Sequence, residues 1–114
     1  MKSLELYYSV LVTIQLFHSL EEILTHFEKR WPLWKMPRWF FVLFEIIFSA
    51  FITLLVFAQS FPYRSILMEA FILLMFVNGI WHSVWAIIER KYVPGIVTAP
   101  FAIVTFILFY FQLL

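Results

Sequence analysis

Four apolar stretches, at residues 4–25, 39–61, 65–88 and 96–114, take up most of this chain. Each is close to the roughly 20 residues that a helix needs to cross a bilayer. The connections between them are short, which sets consecutive helices antiparallel. The expected fold is therefore all-α. A single domain over residues 1–114 forms a polytopic membrane protein, an antiparallel four-helix transmembrane bundle. Composition agrees, with 64% hydrophobic and 13% charged residues, against about 45–50% and 25% in a soluble domain. A net charge of +1 and the lack of any Lys/Arg run give no footprint for nucleic acid. With no cysteine in the chain, any metal must be held by imidazole and carboxylate. The N-terminal run looks in part like a signal peptide. Gln15, His18, Glu21 and Glu22 interrupt it where a clean apolar core should continue, so it is read as a retained first helix.

Lysine and arginine orient the bundle. Lys29, Arg30, Lys35 and Arg38 follow the first stretch, and Arg90 and Lys91 follow the third, whereas the other side has only Lys2 and Arg64. Basic loops stay cytoplasmic, which places both termini outside a cell membrane crossed several times. Trp31, Trp34 and Trp39 fit an inner aromatic belt, and Tyr7, Tyr8 and Tyr63 an outer one.

Against this apolar background His18-Ser19-Leu20-Glu21-Glu22 stands out. A central carboxylate costs about 2.5–3.5 kcal/mol on insertion scales, so such groups face a bundle interior and often mark a site. At 1.5 Å per residue, Glu22 and His18 lie about 5 and 12 Å from the inner end of their helix. Glu45 lies about 9 Å in on the second, and His82 and Asn78 about 10 and 15 Å in on the third. The polar groups thus meet in the cytoplasmic third of the membrane. Their faces agree too. Ile14, His18, Glu21, Glu22 and Thr25 share one side of the first helix, with Gln15 at its edge, and Asn78, His82, Trp85 and Glu89 form a stripe on the third. Glu69 points away from that stripe. Gly79, Ser83 and Ala86 suit close helix packing, and Pro100 inside the fourth stretch is expected to break its backbone ladder.

These residues resemble the HXXEE-domain proteins, whose motif is seen here as His18-Ser19-Leu20-Glu21-Glu22. Met36-Pro37-Arg38-Trp39, Asn78-Gly79-Ile80-Trp81-His82 and the segment 90–99, with its Tyr92-Val93-Pro94-Gly95, extend the likeness in order over nearly the whole chain. One departure is Ser19, where members often carry Asn. The resemblance implies an integral membrane protein of uncharacterised activity.

Three chemistries suit the constellation. In the first, His18, Glu21, Glu22, Glu45 and His82 supply ligands for a divalent metal, zinc or iron, with Asn78 orienting a ligand or the substrate. Such an ion activates water or dioxygen against a hydrophobic, lipid-like substrate. In the second, no metal is needed: Glu21 or Glu22 is a general base, with His82 and Asn78 stabilising the developing oxyanion. The third, a proton relay, should span the membrane in steps, but here the polar groups cluster in one layer. A purely structural cluster would contribute about 1 kcal/mol per contact. Ser, Thr or Asn would do that with less desolvation. The expected function is a small membrane-embedded enzyme, with a non-enzymatic packing role as the competing class.

Overall fold

The computed structural model describes residues 2–111. It is all-helical: α1 Lys2–Leu24, α2 Phe27–Arg30, α3 Arg38–Phe57, α4 Arg64–Glu89 and α5 Ala99–Tyr110. The expected end of the last helix at residue 114 lies outside the described residues. Helices α3 and α4 are each long and apolar enough to cross a membrane. Polar side chains break the apolar run of α1, and α5 has only 12 residues. That last helix starts three residues later than expected. Pro100 sits in its first turn, where a missing N–H leaves no helical bond unmade, so it starts the helix instead of breaking it.

Helix α1 is the hub, packed against α3, α4 and α5, while α5 lies along α4. Consecutive in the chain, the α3 and α4 backbones stand apart, because α1 fills the place between them at one side and a cleft remains at the other, although side chains such as Phe48 and Phe71, with ring centres 6.0 Å apart, still meet. The larger apolar core joins Leu4, Tyr7, Tyr8 and Leu11 of α1 to Ile52, Met68, Ile72 and Met75. Tyr7 and Tyr8 are thus buried and do not form the outer belt expected of them. Their hydroxyls donate to the carbonyls of Leu108 and Ile52, which removes the need for water. Tyr63, Trp34 and Trp39 do face outward, as does Glu69.

The strip of small residues on α4 brings α5 close. A Cβ on Gly79 would lie 2.8 Å from Ile103 Cγ1 and 2.9 Å from the carbonyl oxygen of Ala99. Since that second neighbour is backbone, it cannot swing aside. Gly79→Leu is expected to destabilise the fold by about 1–3 kcal/mol, read as a lowered Tm in detergent. An unchanged Tm would mean that α5 does not pack here.

The basic connection after α1 carries a short helix that the sequence reading did not foresee. After α1, His26 adopts a left-handed conformation (φ 58) that doubles the chain back into α2. Phe27 then stacks on Phe41 and meets Trp85 edge-on, forming a second core with Val93. Trp31 joins this group edge to face with Trp81. Buried Glu28 is held by Arg38 at 3.0 Å, and Arg30 spans to Glu89 and to the Tyr92 carbonyl, both at 2.9 Å. The folded connection seals one end of the bundle. Beneath it lies the polar layer.

Candidate metal centre

The side chains that are expensive in an apolar interior are the ones the fold gathers there. Gln15, His18, Ser19 and Glu22 of α1, Glu45 of α3 and His82 of α4 are all buried. Spacing on α1 explains part of this, since His18 and Glu22 are one turn apart and project from one face. The helix α4, crossing beside α1, supplies His82, whose ring meets that of His18 edge-on at 4.6 Å.

Three ligand atoms converge. His18, Glu22 and His82 each offer one atom within 4.8 Å of the others, so the group can hold a metal ion. Glu22 Oε2 is 3.5 Å from His18 Nε2 and 3.3 Å from His82 Nε2. A charge-assisted hydrogen bond would be about 2.7–2.9 Å. Ligand atoms bound to a tetrahedral zinc, by contrast, lie roughly 3.3–3.4 Å apart. The two separations that involve Glu22 are long for direct bonding and close to the edge of a coordination polyhedron. Two imidazoles and a carboxylate also form a donor set typical of zinc and of non-haem iron. The second nitrogen of His82, Nδ1, is buried without a hydrogen-bond partner. Leaving such an atom unpaired costs about 1–3 kcal/mol, and bonding at Nε2 would not pair it.

Glu21 is set apart from this group. Its carboxylate accepts four hydrogen bonds from the segment before α5: from the Tyr92 hydroxyl at 2.6 Å, the Val97 and Thr98 N–H groups at 3.1 Å, and the Thr98 hydroxyl at 2.9 Å. Adjacent glutamates on a helix project about 100° apart, so one faces the imidazoles while the other grips the neighbouring segment. Thr98 links the two, because its Oγ1 is 2.6 Å from His18 Nδ1. With the hydroxyl hydrogen on Glu21, that oxygen accepts from Nδ1–H. The His18 proton is thereby placed on Nδ1 and the Nε2 lone pair faces Glu22, the arrangement a metal-binding histidine needs. Asn78 Nδ2, 3.4 Å from the same Nε2, sits beside it. Glu45 is not one of the three converging residues; it accepts a hydrogen bond from the Ser19 hydroxyl.

One side of the centre is closed by backbone. Gly95, at φ +94, runs so close that a Cβ there would sit 2.6 Å from Cε1 of both His18 and His82. The Tyr92-Val93-Pro94-Gly95 turn therefore starts α5 and also covers the imidazole pair. The other side opens on a cavity of about 390 Å³ between α3 and α4. Glu22, Glu45, Asn78 and His82 give it a polar end, and its walls are aromatic, Trp31, Phe44 and Trp81 among them.

The motif, its order along the chain and the spacing to Asn78 and His82 are now joined by one direct finding. A family described as proteins of unknown function with an HXXEE motif matches residues 9–110. The chain belongs to that family. Neither the curated proteins nor the solved structures contain a match. In this HXXEE protein the sequence reading missed the close approach of Gly95 and the Ser19 contact with Glu45. The signal for Gly95 was available, since it is one of only two glycines and follows a proline beside the polar layer. Ser19 stood out only as a departure from the motif, and its partner, 26 residues away, was not marked.

Proposed function

We propose that this HXXEE protein is a small membrane-embedded metalloenzyme acting on a hydrophobic substrate from within the bilayer. The observation that carries the reading is the buried meeting of His18, Glu22 and His82, at separations suited to one ion, beside a cavity of ligand size. We take the whole chain as one domain with four spans, both termini outside and the basic loops cytoplasmic. The inverted distribution of side chains supports this. His18, Glu22, Glu45 and His82 are inside, while α1, α3, α4 and α5 turn large apolar residues outward, such as Phe17, Ile47, Ile87 and Phe101. Patches of this extent favour lipid over water.

His18, Glu22 and His82 would hold the ion. Bound zinc or iron would supply Lewis acidity and activate water or dioxygen. Glu45, kept in place by Ser19 and bordering the same cavity, is the group that would take up or return a proton. Asn78 would hydrogen-bond a substrate oxygen, and Thr98 with Glu21 would hold the His18 ring and tautomer. The aromatic walls would exclude water and strengthen each of these interactions.

Elemental analysis of detergent-purified protein tests the reading. Close to one zinc or iron per chain is expected, falling to background in His18→Ala and His82→Ala. Folded wild-type protein without metal would overturn it and shift the chemistry to Glu22 and Glu45 as a metal-free acid and base pair.

A further inference from the structure

The two ends of the bundle differ in charge, and the fold sharpens the difference. At the end sealed by the connection after α1 lie Lys29, Arg30, Lys35, Arg38, Arg90 and Lys91, against the carboxylates of Glu21, Glu28 and Glu89. The other end has Lys2 and Arg64 against Glu5 and Glu69. There Arg64 is fully engaged: it pairs with Glu5 at 3.1 Å and donates to the carbonyls of Leu55 and Val56. At the sealed end Arg38 holds Glu28 and Arg30 holds Glu89. Lys29, Lys35, Arg90 and Lys91 are exposed there and make no hydrogen bond or ion pair among the described residues. Glu89 also attracts Lys91, but from beyond ion-pair distance.

Tertiary contacts draw these free charges together. Arg30 reaches both Glu89 and the Tyr92 carbonyl at 2.9 Å, so α2, with Lys29, lies against the corner that holds Arg90 and Lys91. That corner is strained. Arg90 ends α4 at φ 55, a left-handed conformation that glycine adopts freely and a residue with a Cβ does not. Strain of this kind gathers at positions that hold ligands. Around the cations stand outward-facing apolar side chains: Leu33 is 63% exposed, Trp34 57% and Trp39 69%. Indoles beside ammonium and guanidinium groups suit the headgroup level of a bilayer, where rings meet acyl carbon and cations meet phosphate. Arg90 and Lys91 directly follow α4, and Lys35 precedes α3 by three residues. The charges thus sit where those helices leave an apolar layer, with no arm reaching into water. A soluble acidic partner would have to press against the membrane to meet them.

We propose that the corner formed by Lys29, Arg90 and Lys91 binds the phosphate of an anionic phospholipid, with Lys35 widening the field of attraction and Trp34 and Trp39 bordering the acyl chains. The inference rests on the membrane reading of the chain and not on its being an enzyme. Each lysine or arginine at a membrane surface adds its own salt-screened attraction to anionic lipid. Several on one corner therefore separate an anionic headgroup from a zwitterionic one.

Spin-labelled lipids in phosphatidylcholine vesicles test this, since the share of label immobilised by the protein gives the association of phosphatidylglycerol relative to phosphatidylcholine. The wild type should prefer phosphatidylglycerol about threefold or more at low salt. The preference should fall toward equality at about 1 M salt, where the screening length is about 3 Å. Lys29→Gln, Arg90→Gln and Lys91→Gln combined should abolish it, whereas Lys29→Arg with Lys91→Arg should keep it. Arg90→Gly gives a readout that a merely structural arginine would not: relief of the strain holds or raises the Tm while the preference falls. Equal association of both lipids with the wild type would overturn the proposal, and so would a preference that survives the triple variant. Displacement of the lipid by millimolar inorganic phosphate would also overturn it, by making the corner a site for soluble phosphate. A chain that does not float with the vesicles removes the membrane reading and this inference together. An incorporated chain without lipid preference removes only the inference, and metal content bears on neither outcome.

Discussion

Gly95→Ala is expected to abolish metal binding while the helices remain folded. At φ +94 an alanine is strained by about 1–3 kcal/mol, and this alone lowers Tm. The larger effect is local. The new methyl carbon would lie 2.6 Å from Cε1 of both imidazoles and 2.8 Å from His82 Nδ1. Those rings cannot both yield, because Thr98 fixes one and the packing of α4 fixes the other. Relieving the clash must spread the ligand atoms beyond the 3.3 and 3.5 Å edges that suit an ion. Metal content should fall from about one per chain to background, with helical circular dichroism retained. Full metal occupancy in this variant would show that the two imidazoles do not act together.

The second large effect separates the neighbouring glutamates. Glu21→Ala removes an acceptor of four hydrogen bonds from the segment entering α5. Since Glu21 is only half-buried, water recovers some of that loss, and about 3 kcal/mol of stability should disappear. Metal affinity should also weaken by about 10–100-fold through the released Thr98 and the freed His18 ring, the range seen when a partner of a metal ligand is lost. Thr98→Val isolates this second part: a similar loss of affinity, with much less loss of stability. Chelator competition and thermal unfolding measure the two quantities. If Glu21→Ala instead eliminates metal as completely as His82→Ala, and Thr98→Val has no effect, Glu21 is itself a ligand and its role as an anchor is wrong.

Much of this protein was legible in one dimension. Apolar stretches separated by short connections called for long helices, and the depth arithmetic brought His18, Glu22 and His82 to one level before any contact was known. That arithmetic works because rise and angle per residue are nearly constant in a helix, so sequence separation converts directly into height and direction. It fails wherever the chain leaves the helix. The fold-back at His26, the burial of Phe27 and Glu28 and the closure of Gly95 over the imidazoles depend on single backbone angles and on partners far away in the chain.

The division of labour at the centre was decided in the same way. Sequence alone determined that two carboxylates and an imidazole shared a helix inside an apolar segment, and that this had to be a buried, partnered site. It set Glu45 below the adjacent pair and could not separate Glu21 from Glu22, because identical side chains carry no label of role. Tertiary structure assigned Glu22 to the imidazole pair, Glu21 to the turn before α5 and Glu45 to Ser19. The reason is geometric: Glu21 takes the donors that the segment before α5 brings within about 3 Å, Glu22 is left facing the two imidazoles, and which elements lie beside each carboxylate is settled only when the helices pack.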